Sequence, residues 1–377
     1  TLGLPPGGAL CEGGGVECEP GCVAAARASS AACADVLGCV RRVELRPPRG
    51  AGAAGGEAGE VPLEALASLT GLRALDLPCR RATGSLDALA GARGLTSLTL
   101  DAGGLSGSLE GLRGLTLLEE LDLSALPPGA PGARDCAAGG GRAGGPPSAA
   151  WAWARRNPLG SKNRVDLSIL GPGGGLAGDL APLAALEQLR VLRVEGTEIG
   201  GNLSAVASLP FLEELHVGAN CLGGGLGPLE GLSALREVTI PAKYPWSRLR
   251  PDPASGWTNS YALYDRPCNG SGGLDGGLGA VSGLRGLEVL DLSYNALEGN
   301  ISAVENLTLL TELALNENLI GGNISSVHNL SGLTFLGVGG YPSEYYNFPT
   351  EDWDYSLISS LEGNLSEVSH LTNLTHL

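Results

Sequence analysis

Eight asparagines open the tripeptide Asn-X-Ser/Thr: Asn202, Asn269, Asn300, Asn306, Asn323, Asn329, Asn364 and Asn373. That tripeptide is the acceptor for N-linked glycans, a chemistry that needs an exposed turn and a secretory compartment. Their spacing is more informative than their number. Asn202, Asn300, Asn323 and Asn364 each stand in the same frame, Gly-Asn-Leu/Ile-Ser, while Asn306 and Asn329 share a second phase six residues further on. Glycans in two columns along one outer surface are expected. The competing reading is that Gly-Asn-Leu/Ile-Ser is favourable turn chemistry with or without sugar.

The nine cysteines point the same way. Cys11, Cys18, Cys22, Cys33 and Cys39 crowd the start, and Cys221 and Cys268 form a further candidate pair. Such a cluster, without Cys-x-x-Cys and without a nearby His, reads as a disulfide-stapled cap in an oxidising compartment rather than as a metal site. Nine is odd, so one thiol stays free or pairs with another chain.

Catalytic chemistry finds little support. His216, His328, His370 and His376 stand in no metal-ligand spacing, and no Ser or Cys sits in a nucleophile elbow. Residues 173–178 fit G-x-G-x-x-G formally, but in a glycine-rich turn without a following helix. Glu119-Glu120 and Glu213-Glu214 are neighbours on strands, so each pair points to opposite faces and makes no acid/base dyad. The chain is expected to be no enzyme, with no cofactor or metal and only covalent N-glycans attached.

Charge excludes one partner class. The formal net charge is −16, and residues 252–377 hold 15 Asp/Glu against two Arg. An acidic surface argues against nucleic acid. A calcium site around Glu351, Asp352 and Asp354 is the weaker alternative to a solubilising acidic face, because the ligand spacing is not ordered. No apolar run approaches the ~20 residues of a membrane span. The absence of Met suggests a processed form or a fragment.

What positions these residues is a 23-residue ruler. Leu287-x-x-Leu290-x-Leu292 is followed by Leu310–Leu313–Leu315 and Leu333–Leu336–Val338. Leu72, Leu95 and Leu118 open copies at the same step, as do Leu189, Leu212 and Leu235. Val40–Val43–Leu45, Val165–Asp166–Leu167 and the closing Leu374–Leu377 read as further, looser copies. The period-two part is a short strand that cannot bury its leucines alone, so copies must stack. After each strand a Gly-x-Leu/Ile supplies an apolar plug, at Leu86, Leu109, Leu203, Leu226, Ile301 and Ile324.

These copies resemble the leucine-rich repeat family, in its plant-type extracellular branch of receptor-like ectodomains and polygalacturonase-inhibitor-like proteins, with the pattern LxxLxLxxNxLxGxIPxxLxxLxxL. Leu290 to Ile301 carries it with Asn295, Leu297 and Gly299 in place, and residues 59–77 include Pro62. The resemblance covers about three-quarters of the chain. It implies an α/β solenoid: a right-handed rod with a parallel β-sheet on one face, short strands and few regular helices. The ladder Asn recurs at Asn220, Asn295 and Asn318, whereas Arg80, Gly103 and Thr197 replace it elsewhere, which predicts looser turns there. Residues 1–42 are assigned to the cap and 43–377 to the solenoid.

The ruler breaks at about 124–162, 241–273 and 339–360, always after the strand and before the Gly-x-Leu. Of 16 aromatic residues, 13 lie in these insertions. Candidate contact residues are Trp151, Trp153, Tyr244, Trp246, Trp257, Tyr261, Tyr264, Tyr341, Tyr345, Tyr346, Trp353 and Tyr355. Their alternative use is to fold back onto the repeats. The outward sheet positions (Asp76, Thr99, Asp122, Arg193, His216, Thr239, Asp291, Ala314 and Gly337) look poor in anchors. A chain stopping inside a strand at Leu377 has an open end. Together these predict an extracellular glycoprotein, secreted or at the cell surface, whose partner is protein, including itself end to end in a fibre or coat. The alternative is a recognition module for a peptide, protein or polysaccharide.

Overall fold

The computed structural model describes residues 16–18, 40–44, 60–124, 175–242, 273–339 and 361–375. The chain divides into two compact units, Thr1–Ile199 and Gly200–Leu377.

In the first unit β1 (Val16–Cys18) pairs antiparallel with β2 (Val40–Glu44). Every later pairing described in this unit is parallel. β3 (Val61–Pro62) joins the far end of β4 (Ala74–Ser85), which lies between β2 and β5 (Ser97–Gly107). β6 (Glu120–Asp122) follows β5, and β7 (Gly175–Asp179) pairs with the far end of β5. β8 (Val191–Arg193) pairs directly with β6, Leu121 opposite Leu192. The looser copy Val165–Asp166–Leu167 lies outside the described residues. The second apolar positions of the LxxLxL ruler meet in register, Val43–Leu75–Leu98–Leu121–Leu192, all buried.

The second unit repeats the plan. β9 (Glu198–Gly201) ends in it and pairs through Gly200 with β11 (Cys221–Leu222). β10 (Glu214–His216), β12 (Glu237–Thr239), β14 (Val289–Asp291), β16 (Glu312–Ala314) and β18 (Phe335–Gly337) form a parallel sheet in register, Leu215–Val238–Leu290–Leu313–Leu336. A second, four-stranded parallel sheet runs behind it: β13 (Asp275–Gly277), β15 (Ala296–Asn300), β17 (Leu319–Asn323) and β19 (Leu361–Glu362). Thr375 N donates to Thr334 O at 2.9 Å, as Thr334 N does to Thr311 O at 2.8 Å, so the last rung stacks like those before it.

Between the sheets each rung closes with a 3₁₀ turn, for instance Leu86–Leu89, Leu109–Leu112, Ile301–Val304 and Ile324–Val327. The spacing of the sequence explains this choice. A 3₁₀ helix has three residues per turn, so residues i and i+3 eclipse, and Leu-x-x-Leu puts both leucines into one core. Leu86 and Leu89, Leu109 and Leu112, and Ile301 and Val304 are all at most 1% exposed. All six plug residues of the Gly-x-Leu/Ile motif are buried.

The ladder asparagines organise the corner between the two sheets. Asn295 Nδ2 donates to Ile240 O (2.8 Å), Leu292 O (2.9 Å) and Ser293 O (3.2 Å), and its Oδ1 accepts from Leu274 N (2.7 Å). Asn318 repeats this with Leu292 O (2.8 Å), Leu315 O (3.0 Å) and Leu297 N (3.0 Å). The residue before each ladder position takes the left-handed conformation: Ala219 (φ 55°), Tyr294 (φ 64°), Glu317 (φ 59°) and, before Thr197, Gly196 (φ 69°). Where Arg80 and Gly103 stand, the corner is not looser but continuous. β4 and β5 run unbroken for 12 and 11 residues, with register irregularities at the bend. Backbone pairing there replaces the side-chain bonds, helped by Asp101 Oδ1, which accepts from Gly103 N at 2.9 Å.

Glu317 makes this corner sensitive to pH. Burial raises its carboxyl from 4.5 to about 7. A group whose folded pKa is raised stabilises fully below its unfolded pKa and loses that contribution as pH rises through the folded one. Folding stability should therefore fall between pH 4.5 and 8, by about 1–2 kcal/mol after allowance for partial exposure. Denaturant titrations at both pH values check this, and Glu317→Gln should flatten the step.

Candidate functional site

The asparagines of the glycan tripeptide fall where the second sheet turns into the 3₁₀ helix. Asn202, Asn300, Asn323 and Asn364 are N-cap residues, their Oδ1 accepting from the backbone N of Ser204, Ser302, Ser325 and Ser366 at 2.8–2.9 Å. Ser85 and Ser108 cap the same position in the first unit, accepting from Asp87 N (3.2 Å) and Glu110 N (3.3 Å). The column is thus a capping column, which is the turn-chemistry reading. The two readings are compatible: Oδ1 makes the cap, and the sugar-accepting atom is Nδ2. All four asparagines are exposed, as are Asn306, Asn329 and Asn373 of the neighbouring surface. Asn306 Nδ2 reaches Glu305 Oε1 (3.3 Å), and Asn373 Nδ2 donates to Ser331 O (3.1 Å).

Three of the four asparagine caps pack on a glycine of the next rung. A Cβ on Gly322 would meet the Asn300 carboxamide, one on Gly363 would lie 3.0 Å from Asn323 Oδ1, and one on Gly224 would lie 3.4 Å from Asn202 Cβ. Gly224, Gly322 and Gly363 all have positive φ. The glycine of the motif therefore serves two ends, the left-handed turn and the seat of the neighbouring cap.

Several outward positions of the front sheet are closed to solvent: Asp122, His216, Thr239, Asp291 and Ala314 are at most 7% exposed. In-register strands stand ~4.8 Å apart, so each outward side chain is walled by its counterparts on both neighbours. Asp291 Oδ1 accepts from Ser293 N (3.1 Å) and Oγ (2.5 Å), and Asp122 Oδ1 from Ser124 N (3.1 Å). Sequence reasoning missed one cluster on this face, Glu214, His216 and Glu237, in which one ligand atom from each lies within 4.8 Å of the others. Its members come from two strands 23 residues apart, and only strand register joins them.

Cys18 and Cys221 each take part in a disulfide, with a partner outside the described residues. The side chains of Cys11, Cys22, Cys33, Cys39 and Cys268 lie outside the described residues, as do Asn269, the acidic loop at Glu351 and the twelve aromatic contact candidates. His328 and His370 stack at 4.0 Å between ring centroids, and His370 Nε2 contacts His328 O at 2.7 Å.

No family model matches the chain, and no curated protein does. Solved structures do. A plant ice-binding protein aligns over 94% of this chain and 86% of its own, with TM-score 0.52 and 18% identity. A plant peptide hormone receptor, RGFR1 in complex with RGF2, aligns over 85% of this chain with TM-score 0.50 and 18% identity. The fold is a leucine-rich repeat solenoid. This leucine-rich repeat chain covers 41% of the receptor's length. No helix among the described residues is long and apolar enough to cross a membrane.

Proposed function

We propose that this leucine-rich repeat chain is a non-catalytic extracellular glycoprotein, secreted or at the cell surface, that works through protein–protein contacts. Its finer role in this reading is a structural protomer that associates with its own copies in a fibre or coat. One observation carries it: 13 of the 16 aromatics lie in three insertions of common phase. The outward residues of the front sheet supply no comparable exposed anchors. Contact chemistry is thereby moved to the insertions, where aromatics give large area at low entropy cost.

The exposed asparagine columns support the extracellular part, with covalent N-glycans attached there. Intact-glycopeptide mass spectrometry on native material should find sugar on Asn300 and Asn323 together. Both sites bare would remove that support.

Self-association is checked by sedimentation of the native glycosylated protein beside a variant with Tyr345, Tyr346 and Trp353 changed to Ser. The native protein is expected to sediment as assemblies and the variant as monomer. Monomers in both at high concentration would defeat the fibre or coat and leave a recognition module for a peptide, protein or polysaccharide.

A further inference from the structure

The outward face of β10 and β12 holds a donor set suited to a metal ion. Glu214 and His216 are two residues apart on one strand and so share a face. Glu237 lies in register with Glu214 on the next strand, and Thr239 with His216. His216 Nε2 stands 3.4 Å from Glu237 Oε2 and 3.7 Å from Glu214 Oε2. A tetrahedral ion with bonds of ~2.0–2.2 Å holds its ligand atoms about 3.3–3.6 Å apart. The observed separations lie close to that edge length and exceed the ~2.7–2.9 Å of a charge-assisted hydrogen bond.

A second observation points to the same place. Thr239 is fully buried beside His216, and its Oγ1 has no hydrogen-bond partner; neither has the buried Oε2 of Glu237. A buried hydroxyl left without a partner is costly and calls for an explanation. An ion held by the three ligands would engage Glu237 Oε2 directly. Water completing its coordination would give Thr239 Oγ1 a partner. On the next strand Asp291 Oδ1 is engaged by Ser293, and the group within reach of one another is Glu214, His216 and Glu237.

We propose that Glu214, His216 and Glu237 bind a first-row divalent transition-metal ion, zinc fitting best, with Thr239 as a positioning residue. One imidazole with two carboxylates at tetrahedral spacing suits zinc. Calcium and magnesium require about six or more oxygen ligands, which this face does not assemble. Metal binding would give the front sheet the anchor that its outward residues otherwise lack, independently of whether the insertions mediate self-association.

The test uses the full glycosylated chain, stripped with chelator and titrated with zinc chloride by calorimetry, with cobalt absorption reporting tetrahedral geometry. One zinc equivalent is expected, undiminished by excess calcium or magnesium. Glu237→Gln, at a partly exposed side chain, should keep the fold and weaken that equivalent at least tenfold, and Thr239→Val should weaken it less while preserving the cobalt spectrum. His216→Gln should abolish the spectrum, with circular dichroism confirming that the variant is folded. No uptake by the native chain, or identical uptake by the native chain and Glu237→Gln, would overturn the site.

Discussion

Asn295→Ala is expected to lower folding stability by about 2–4 kcal/mol, the range for breaking a fully buried hydrogen-bond hub. The side chain is 8% exposed and makes four bonds to backbone in three stretches of chain: Ile240, Leu274 and Leu292–Ser293. Alanine leaves Leu274 N without this acceptor and three carbonyls without this donor, in a corner closed to solvent. Asn295→Asp should be at least as damaging, because it keeps the acceptor but sets a carboxylate against those three carbonyls. Chemical denaturation followed by circular dichroism gives the value. A loss below about 0.5 kcal/mol, the usual scatter of surface substitutions, would mean that the ladder contributes little here.

Gly322→Ala should cost about 2–3 kcal/mol, combining a disfavoured backbone conformation with a steric collision. Gly322 has φ 106°, and an added Cβ would lie 2.7 Å from Asn300 Cγ and 2.9 Å from Asn300 Nδ2. The collision falls on the residue that caps Ile301–Val304, so the bond from Ser302 N to Asn300 Oδ1 should weaken as well. Two readouts follow. Unfolding should shift to lower denaturant, and sugar occupancy at Asn300 should drop relative to Asn323 in the same molecule. Gly279→Ala is the matched control: nothing lies within 4 Å of its added Cβ, and its φ is not positive, so stability should hold or rise slightly.

Local rules made the rungs legible. Leu-x-x-Leu-x-Leu at a fixed step implies a strand that must stack, and Leu290 meets Leu313 in the sheet as that rule requires. Gly-Asn-Ile-Ser names a turn, and Asn300 and Asn323 sit at that turn as N-caps. Both follow from chemistry within a few residues of chain, which a sequence displays directly. Asn295 was legible as a ladder position for the same reason.

Tertiary structure decided what depends on distances between rungs. Stacking buried five of the nine outward residues of the front sheet, because identical positions in register wall one another in; along the chain they look solvent-facing. Pairing of β6 with β8 set Leu121 beside Leu192 across about 70 residues of chain, a matter of strand partners rather than of residue type. The corners at Arg80 and Gly103 closed by continuous backbone ladders, which no side chain announces. Glu214, His216 and Glu237 came together because a 23-residue repeat places equivalent positions of successive strands side by side. A repeat period measured along the chain names the rungs. Which side chains touch is set by the few ångströms between neighbouring strands, and that distance exists only after folding.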